Sequence, residues 1–259
     1  MNESQSTAII IEKLKEIEQQ EDITILYAVE SGSRSWKVAA PDSDYDVRFI
    51  YIRKPKEYLR LDKVSDVLEI PIEDGLDING WDLFKTLGLL KKSNPRLFEW
   101  FNSPIVYIDR SFSNRFVPIM NCYFFPKNAA FHYLHTAKNQ RDHFLHGELI
   151  KLKKYLYTLH PLMAAKWVLE RRTPPPVVFR ELMKYELSEN MSGIVEQLLY
   201  DKVNLPEMSL IEPIHELDEY IDQQIEYLDV QLMTFGEENN LGWEQLNNFF
   251  FNELYNENK

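Results

Sequence analysis

One cysteine in 259 residues, Cys122, excludes an internal disulfide and a cysteine zinc cluster. With no suggestive neighbours, it reads as a packed core thiol. No apolar run approaches the about 18 residues that a spanning helix needs, and no charged-then-apolar leader opens the chain. A cytoplasmic protein with no membrane partner is therefore expected. Positive charge is also scarce: 29 Lys and Arg against 41 Asp and Glu leave a formal net charge of −12. That excludes a protein that coats nucleic acid through an extended basic face, although a narrow local groove is compatible with it. Glycines are few, and there is no internal repeat or low-complexity tract. What remains is an ordinary globular composition, 44% hydrophobic and 27% charged, long enough for a large core in one or two domains.

The chemistry concentrates in residues 30–51, ESGSRSWKVAAPDSDYDVRFIY. Asp44, Asp46 and Arg48 alternate with Tyr45, Val47, Phe49 and Tyr51, the period-2 pattern of a strand with one polar and one apolar face. Alternate residues on an extended chain lie about 6.5 Å apart, so the two carboxylates can converge on one or two hard cations. Upstream, Ile23–Val29 reads as a buried strand that ends at Glu30-Ser31-Gly32-Ser33, where glycine permits a sharp turn into a short helix. Strand, turn and helix start together form a cradle for phosphate. The Ser33 hydroxyl adds a hydrogen bond there and Arg34 adds charge.

Gly32-Ser33 followed after a short gap by Asp44-Tyr45-Asp46 resembles the signature of the DNA polymerase β-like nucleotidyltransferase superfamily. The longer string, with NGWDLFK at 79–85 and NPRLFEWFNSPIVY at 94–107, is similar to the bacterial branch of predicted nucleotidyltransferases that includes an RNA-repair-associated group. That branch carries a second glycine after Trp36, where this chain has Lys37, and an arginine where His160 stands.

Further along, residues 66–72 and 76–78 read as the strands of a hairpin-like meander. Asp77, between Leu76 and Ile78, points to the face opposite them. A two-metal site needs a third carboxylate, and the resemblance also implies one here. Asp82 competes for that role, but as the start of a helix over 81–92 it is explained by capping. From about residue 111 long amphipathic helices take over, near 127–147, 148–171, 177–200, 209–235 and 242–256. His132, His135, His143 and His146 share one helical arc, yet the first and third are about 16 Å apart along the axis, too far for one metal. Packing or solvent-facing histidines are expected. Lys154 and Tyr157 share a helix face and could hold triphosphate oxygens and stack on a base.

The expected architecture is α+β: a polymerase β-like mixed sheet with flanking helices (1–110), followed by an α-helical domain (111–259), with the site in the cleft between them. The resemblance implies a nucleotidyltransferase that binds two Mg²⁺ ions through Asp44, Asp46 and Asp77, and a nucleoside triphosphate through Gly32, Ser33, Arg34, Lys154 and Tyr157. The acceptor is left open among an RNA end, a protein and a small molecule, and extended nucleic-acid binding is not expected. The rival reading is a non-enzymatic nucleotide binder or antitoxin-like partner that keeps the fold.

Overall fold

The structure, a computed structural model, describes residues 3–73, 75–236 and 241–256. The chain opens on α1 (Glu3–Glu21) and enters β1 (Ile23–Glu30), the one-turn helix α2 (Gly32–Ser35), β2 (Tyr45–Arg53) and α3 (Pro55–Tyr58). β3 (Val67–Glu69), β4 (Leu76–Asp82), α4 (Leu83–Lys91), α5 (Pro95–Phe101) and β5 (Val106–Asp109) complete a five-stranded sheet of order β3-β4-β2-β1-β5. β2 and β4 are parallel and the other pairs antiparallel. Parallel pairing draws residues 79–82 into the ladder opposite Arg48–Tyr51. β4 is therefore longer than the 76–78 expected, and the helix after it starts at Leu83.

Each face of the sheet has its own apolar layer. Ile10, Leu14 and Ile17 of α1 are buried against Ile25, Ala28, Val47, Phe49, Tyr51 and Ile78. This is the odd-numbered face of β2, as period-2 alternation requires. The opposite face offers Leu26, Val29, Ile50 and Ile52, covered by Leu87 and Leu90 of α4, Leu97 and Phe98 of α5, and Phe112 and Phe116 of α6 (Phe112–Cys122). On β2 this second layer stops at Ile50, and the next two residues towards the strand start on that face are Arg48 and Asp46.

The remaining helices are α7 (Pro126–Phe144), α8 (Leu152–Arg171), α9 (Phe179–Glu186), α10 (Glu189–Asn204), α11 (His215–Thr234) and α12 (Glu244–Asn256), with a two-stranded ribbon of β6 (Ile150–Lys151) and β7 (Leu210–Ile211). α7 to α11 enclose a separate core around Tyr155, Leu159, Met163, Phe179, Leu199 and Ile221. The helix expected over 177–200 breaks at Leu187-Ser188, because Ser188 caps a new helix by accepting from the Met191 N–H. α12 returns to the sheet, where Leu246 and Phe249 join the layer of α6. Cys122 is exposed at the last position of α6, its thiol against the Pro118 carbonyl, and so is not the core thiol its sequence context suggested. His146 lies beyond the end of α7, and His135, His143 and His146 are exposed. No helix among the described residues is long and apolar enough to cross a membrane.

Candidate functional site

The parallel register pairs Asp46 of β2 with Asp77 of β4, so the two carboxylates stand side by side where the apolar layer ends. Asp44 comes one residue before the strand and is exposed. Burial raises the Asp46 carboxyl above the usual carboxylate range. Arg48 opposes that rise, and the like charges of Asp77 and Asp44 add to it. Asp82 sits at the far end of β4, nearly inaccessible. It accepts from the Phe84 N–H at 2.7 Å and from the Tyr58 hydroxyl at 2.9 Å, and is the cap of α4 rather than a neighbour of Asp46.

Two neighbours pin Asp46. Its backbone N–H donates to Glu30 Oε1 at 2.8 Å, and its carbonyl accepts from the Ser31 N–H at 2.8 Å. Glu30 is fully buried. Burial pushes its carboxyl up to about 7, against the lowering effect of its hydrogen bonds from the Tyr107 hydroxyl and the Asp46 N–H. Sequence reading passed over Glu30. The available signal was an acid at the end of an otherwise apolar strand, where an unpartnered charge is not tolerated.

Gly32 follows with φ of +60°, and a Cβ built on it would lie 2.1 Å from Asp46 Oδ2. Only glycine lets the turn close over that carboxylate. Lys37 also holds a positive φ, +60°, so it keeps the backbone conformation that a glycine would adopt at this position. Arg34 points back into the loop: it donates to the carbonyls of Ser43 (2.6 Å) and Asp44 (3.1 Å) and lies over the Tyr45 ring. It shapes the loop that presents Asp44.

α8 closes the other side. Tyr157 shares a hydrogen bond with Ser33, and its hydroxyl is pushed up by burial and by the charges of Glu207, Asp46 and Asp44. Its ring meets Trp36 edge-on, and the Trp36 face stacks on buried His160 at 3.9 Å. His160 thus packs against the loop, held near pKa 4 by burial. Lys154 lies over the Phe144 ring at 3.3 Å. The loop of Asp44 is tied to the helical core as well. Buried Lys202 and partly exposed Lys153 pair with Glu207, which accepts from the Ser43 hydroxyl and whose N–H donates to Asp42. Burial raises the Glu207 carboxyl, but these donors outweigh it and bring it to about 2.

The donor set suits a divalent cation in kind: hard carboxylate oxygens, with Asp46 placed among the like charges of Asp77 and Asp44. As they stand, no three acidic or histidine side chains among the described residues are gathered tightly enough to enclose an ion. A cavity of about 640 Å³ opens at the other end of the sheet, around Arg53, Tyr58, Asp82, Phe84 and Phe250, and the carboxylate pair does not line it.

Comparison with known proteins shows the family of the chain. The RNA repair pathway DNA polymerase beta family (RlaP) matches residues 7–252. An uncharacterized Bacillus subtilis protein, YcgL, is 41% identical over 219 residues, which cover 84% of each chain. The crystal structure of a nucleotidyltransferase-like protein from Exiguobacterium sibiricum aligns over 81% of this chain and 69% of its own, at 16% identity and a TM-score of 0.28. A score that low carries no functional weight beside the family match.

Proposed function

The chain belongs to the RNA repair pathway DNA polymerase beta family, and from that premise we propose that it is a nucleotidyltransferase moving a nucleoside monophosphate from a triphosphate to a hydroxyl. The observation that carries the reading is the in-register pair Asp46–Asp77 under a turn that only Gly32 can make. Asp44, Asp46 and Asp77 would hold magnesium, two ions in all, which when bound supplies charge neutralisation at the transferring phosphoryl group and a more acidic acceptor hydroxyl. The acceptor oxygen attacks the α-phosphorus, the bond to the bridging oxygen of pyrophosphate breaks, and the hydroxyl proton leaves to solvent.

In this reading Gly32 and Ser33 receive the β and γ phosphates and Tyr157 limits the space above them. Glu30 and Ser31 fix Asp46 through its backbone. Arg34 and Glu207 hold the loop of Asp44, and Lys154 supplies long-range charge. The family description favours an RNA end as the acceptor. The charge distribution supports a terminal rather than an extended contact, because Lys153, Lys166 and Arg171 of α8 are already paired with Glu207 and Glu186. Generic duplex RNA should therefore bind weakly at physiological salt. A log–log salt slope steeper than about −4 in a filter-binding titration would mean four or more phosphate contacts and rule this out.

The direct test is incubation with each labelled triphosphate, Mg²⁺ and a panel of RNA ends, proteins and small hydroxyl compounds. Labelled acceptor with equimolar pyrophosphate is expected. Triphosphate binding with no turnover on any acceptor would favour a non-catalytic binder, a reading that the ion pairs between Arg48 and both carboxylates would then explain.

A further inference from the structure

The carboxylates assigned to cations already have a cation between them. Arg48 Nη2 lies 3.0 Å from Asp46 Oδ1 and 2.8 Å from Asp77 Oδ2, so one nitrogen bridges the two strands. Nη1 donates to the carbonyls of Val47 at 3.0 Å and Asp77 at 2.7 Å, which fixes the plane of the guanidinium. The strand register places Asn79, not an acid, beside Arg48. The side chain therefore reaches back along β2 to the acids, and it stays only about one-fifth exposed. Core packing does not ask for it: on the same face the next residues, Ile50 and Ile52, are the ones that enter the apolar layer.

Charge decides what this contact does. Asp44, Asp46 and Asp77 bring three negative charges and Arg48 one positive, leaving a surplus that a single divalent ion balances. A second ion needs the oxygens that Arg48 Nη2 occupies. Both cations prefer the same partners, and a guanidinium fork suits a carboxylate well enough to compete.

We propose that Arg48 is a resident cation of this site, holding Asp46 and Asp77 together in the free protein and competing with a second divalent ion for their oxygens. This rests on the nucleotidyltransferase reading and adds an order to it: one ion binds readily, and the second enters as the guanidinium is displaced. Arg48 is thereby a positioning residue that links cation loading to the geometry of the pair.

The test is Mn²⁺ binding to the protein alone, by electron paramagnetic resonance and calorimetry, for wild type, Arg48→Gln and Arg48→Lys, with circular dichroism as the check of folding. Removing the competing charge should tighten the weaker Mn²⁺ site at least tenfold in the Gln variant. The Lys variant, with its charge but no fork, should fall between Gln and wild type. A folded Gln variant whose weaker site is unchanged or weakened would falsify the proposal. If the Gln variant does not fold, a folded Lys variant with unchanged affinity has the same force. Absence of Mn²⁺ binding in wild type and both variants would instead overturn the nucleotidyltransferase reading itself.

Discussion

Asp77 and Asp82 lie on one strand, five positions apart, and serve opposite ends of the same sheet. Asp82 is closed off from water, satisfied by a backbone N–H and a tyrosine hydroxyl, and pushed up to about 6 mainly by burial. Asp77 keeps about a third of its side chain exposed, stands beside another carboxylate, and has a cation as its partner. Neutral donors around a buried acid build a structural cap; a half-exposed pair of acids leaves charge for something else to balance. The family match covers both ends alike, so this distinction comes from geometry.

The contrast is sharpest in activity. Asp46→Asn and Asp77→Asn should lower nucleotide transfer on the order of a thousandfold, through loss of electrostatic stabilisation, while thermal unfolding stays close to wild type. Asp82→Asn should leave the transfer rate of folded protein nearly unchanged. Equal loss in a folded Asp82 variant would break the comparison.

Next in size is Gly32→Ala. The added Cβ meets Asp46 Oδ2 in a backbone region that disfavours side chains, so transfer should drop and urea unfolding should register a loss of about 1–2 kcal/mol.

The pH dependence of stability separates the two acids further. The folded-state pKa of Asp82, about 6, is raised above the ordinary value of 3.8 that it has in the unfolded chain. Its contribution is therefore complete below about pH 4 and is lost as pH rises through 6. Asp82→Asn removes that loss. The variant should gain on wild type by on the order of 2 kcal/mol between pH 4 and 7, read from urea midpoints at both pH values. A constant difference across this range would show that Asp82 is not the group responsible.

The smallest effect belongs to the turn. Lys37→Gly relieves a left-handed lysine but loosens the unfolded chain, for a net gain of at most about 1 kcal/mol in thermal unfolding with transfer unchanged. A destabilised glycine variant would mean that the lysine side chain has a role of its own.

Much of this was legible in the residues, because local rules carry it. The alternation around Asp46, the apolar run before Glu30 and the glycine turn are each decided within ten or so residues, and the motif they compose resembles the family that the match then showed. Pairing and packing were not legible. That β2 and β4 run parallel, with Asp46 against Asp77, depends on a register between segments thirty residues apart, and sequence alternation alone does not fix strand direction. Arg34 and Lys154 looked like phosphate ligands by charge. The structure turns one onto loop carbonyls and the other onto Phe144, because cations take the nearest acceptors and ring faces once the chain is folded.

The return of α12 to the sheet shows the same limit at long range: amphipathic spacing says that a helix has a buried face but not which core buries it. From the sequence alone came the candidate acids, the glycine turn and the strand–turn–helix–strand run that carries them, since these follow from side-chain chemistry and backbone freedom at single positions. Only the tertiary structure decided that Asp77 rather than Asp82 stands beside Asp46, that Glu30 holds its backbone, and that Arg48 lies between the acids. Each of those facts depends on the distance between atoms that the chain brings together only by folding.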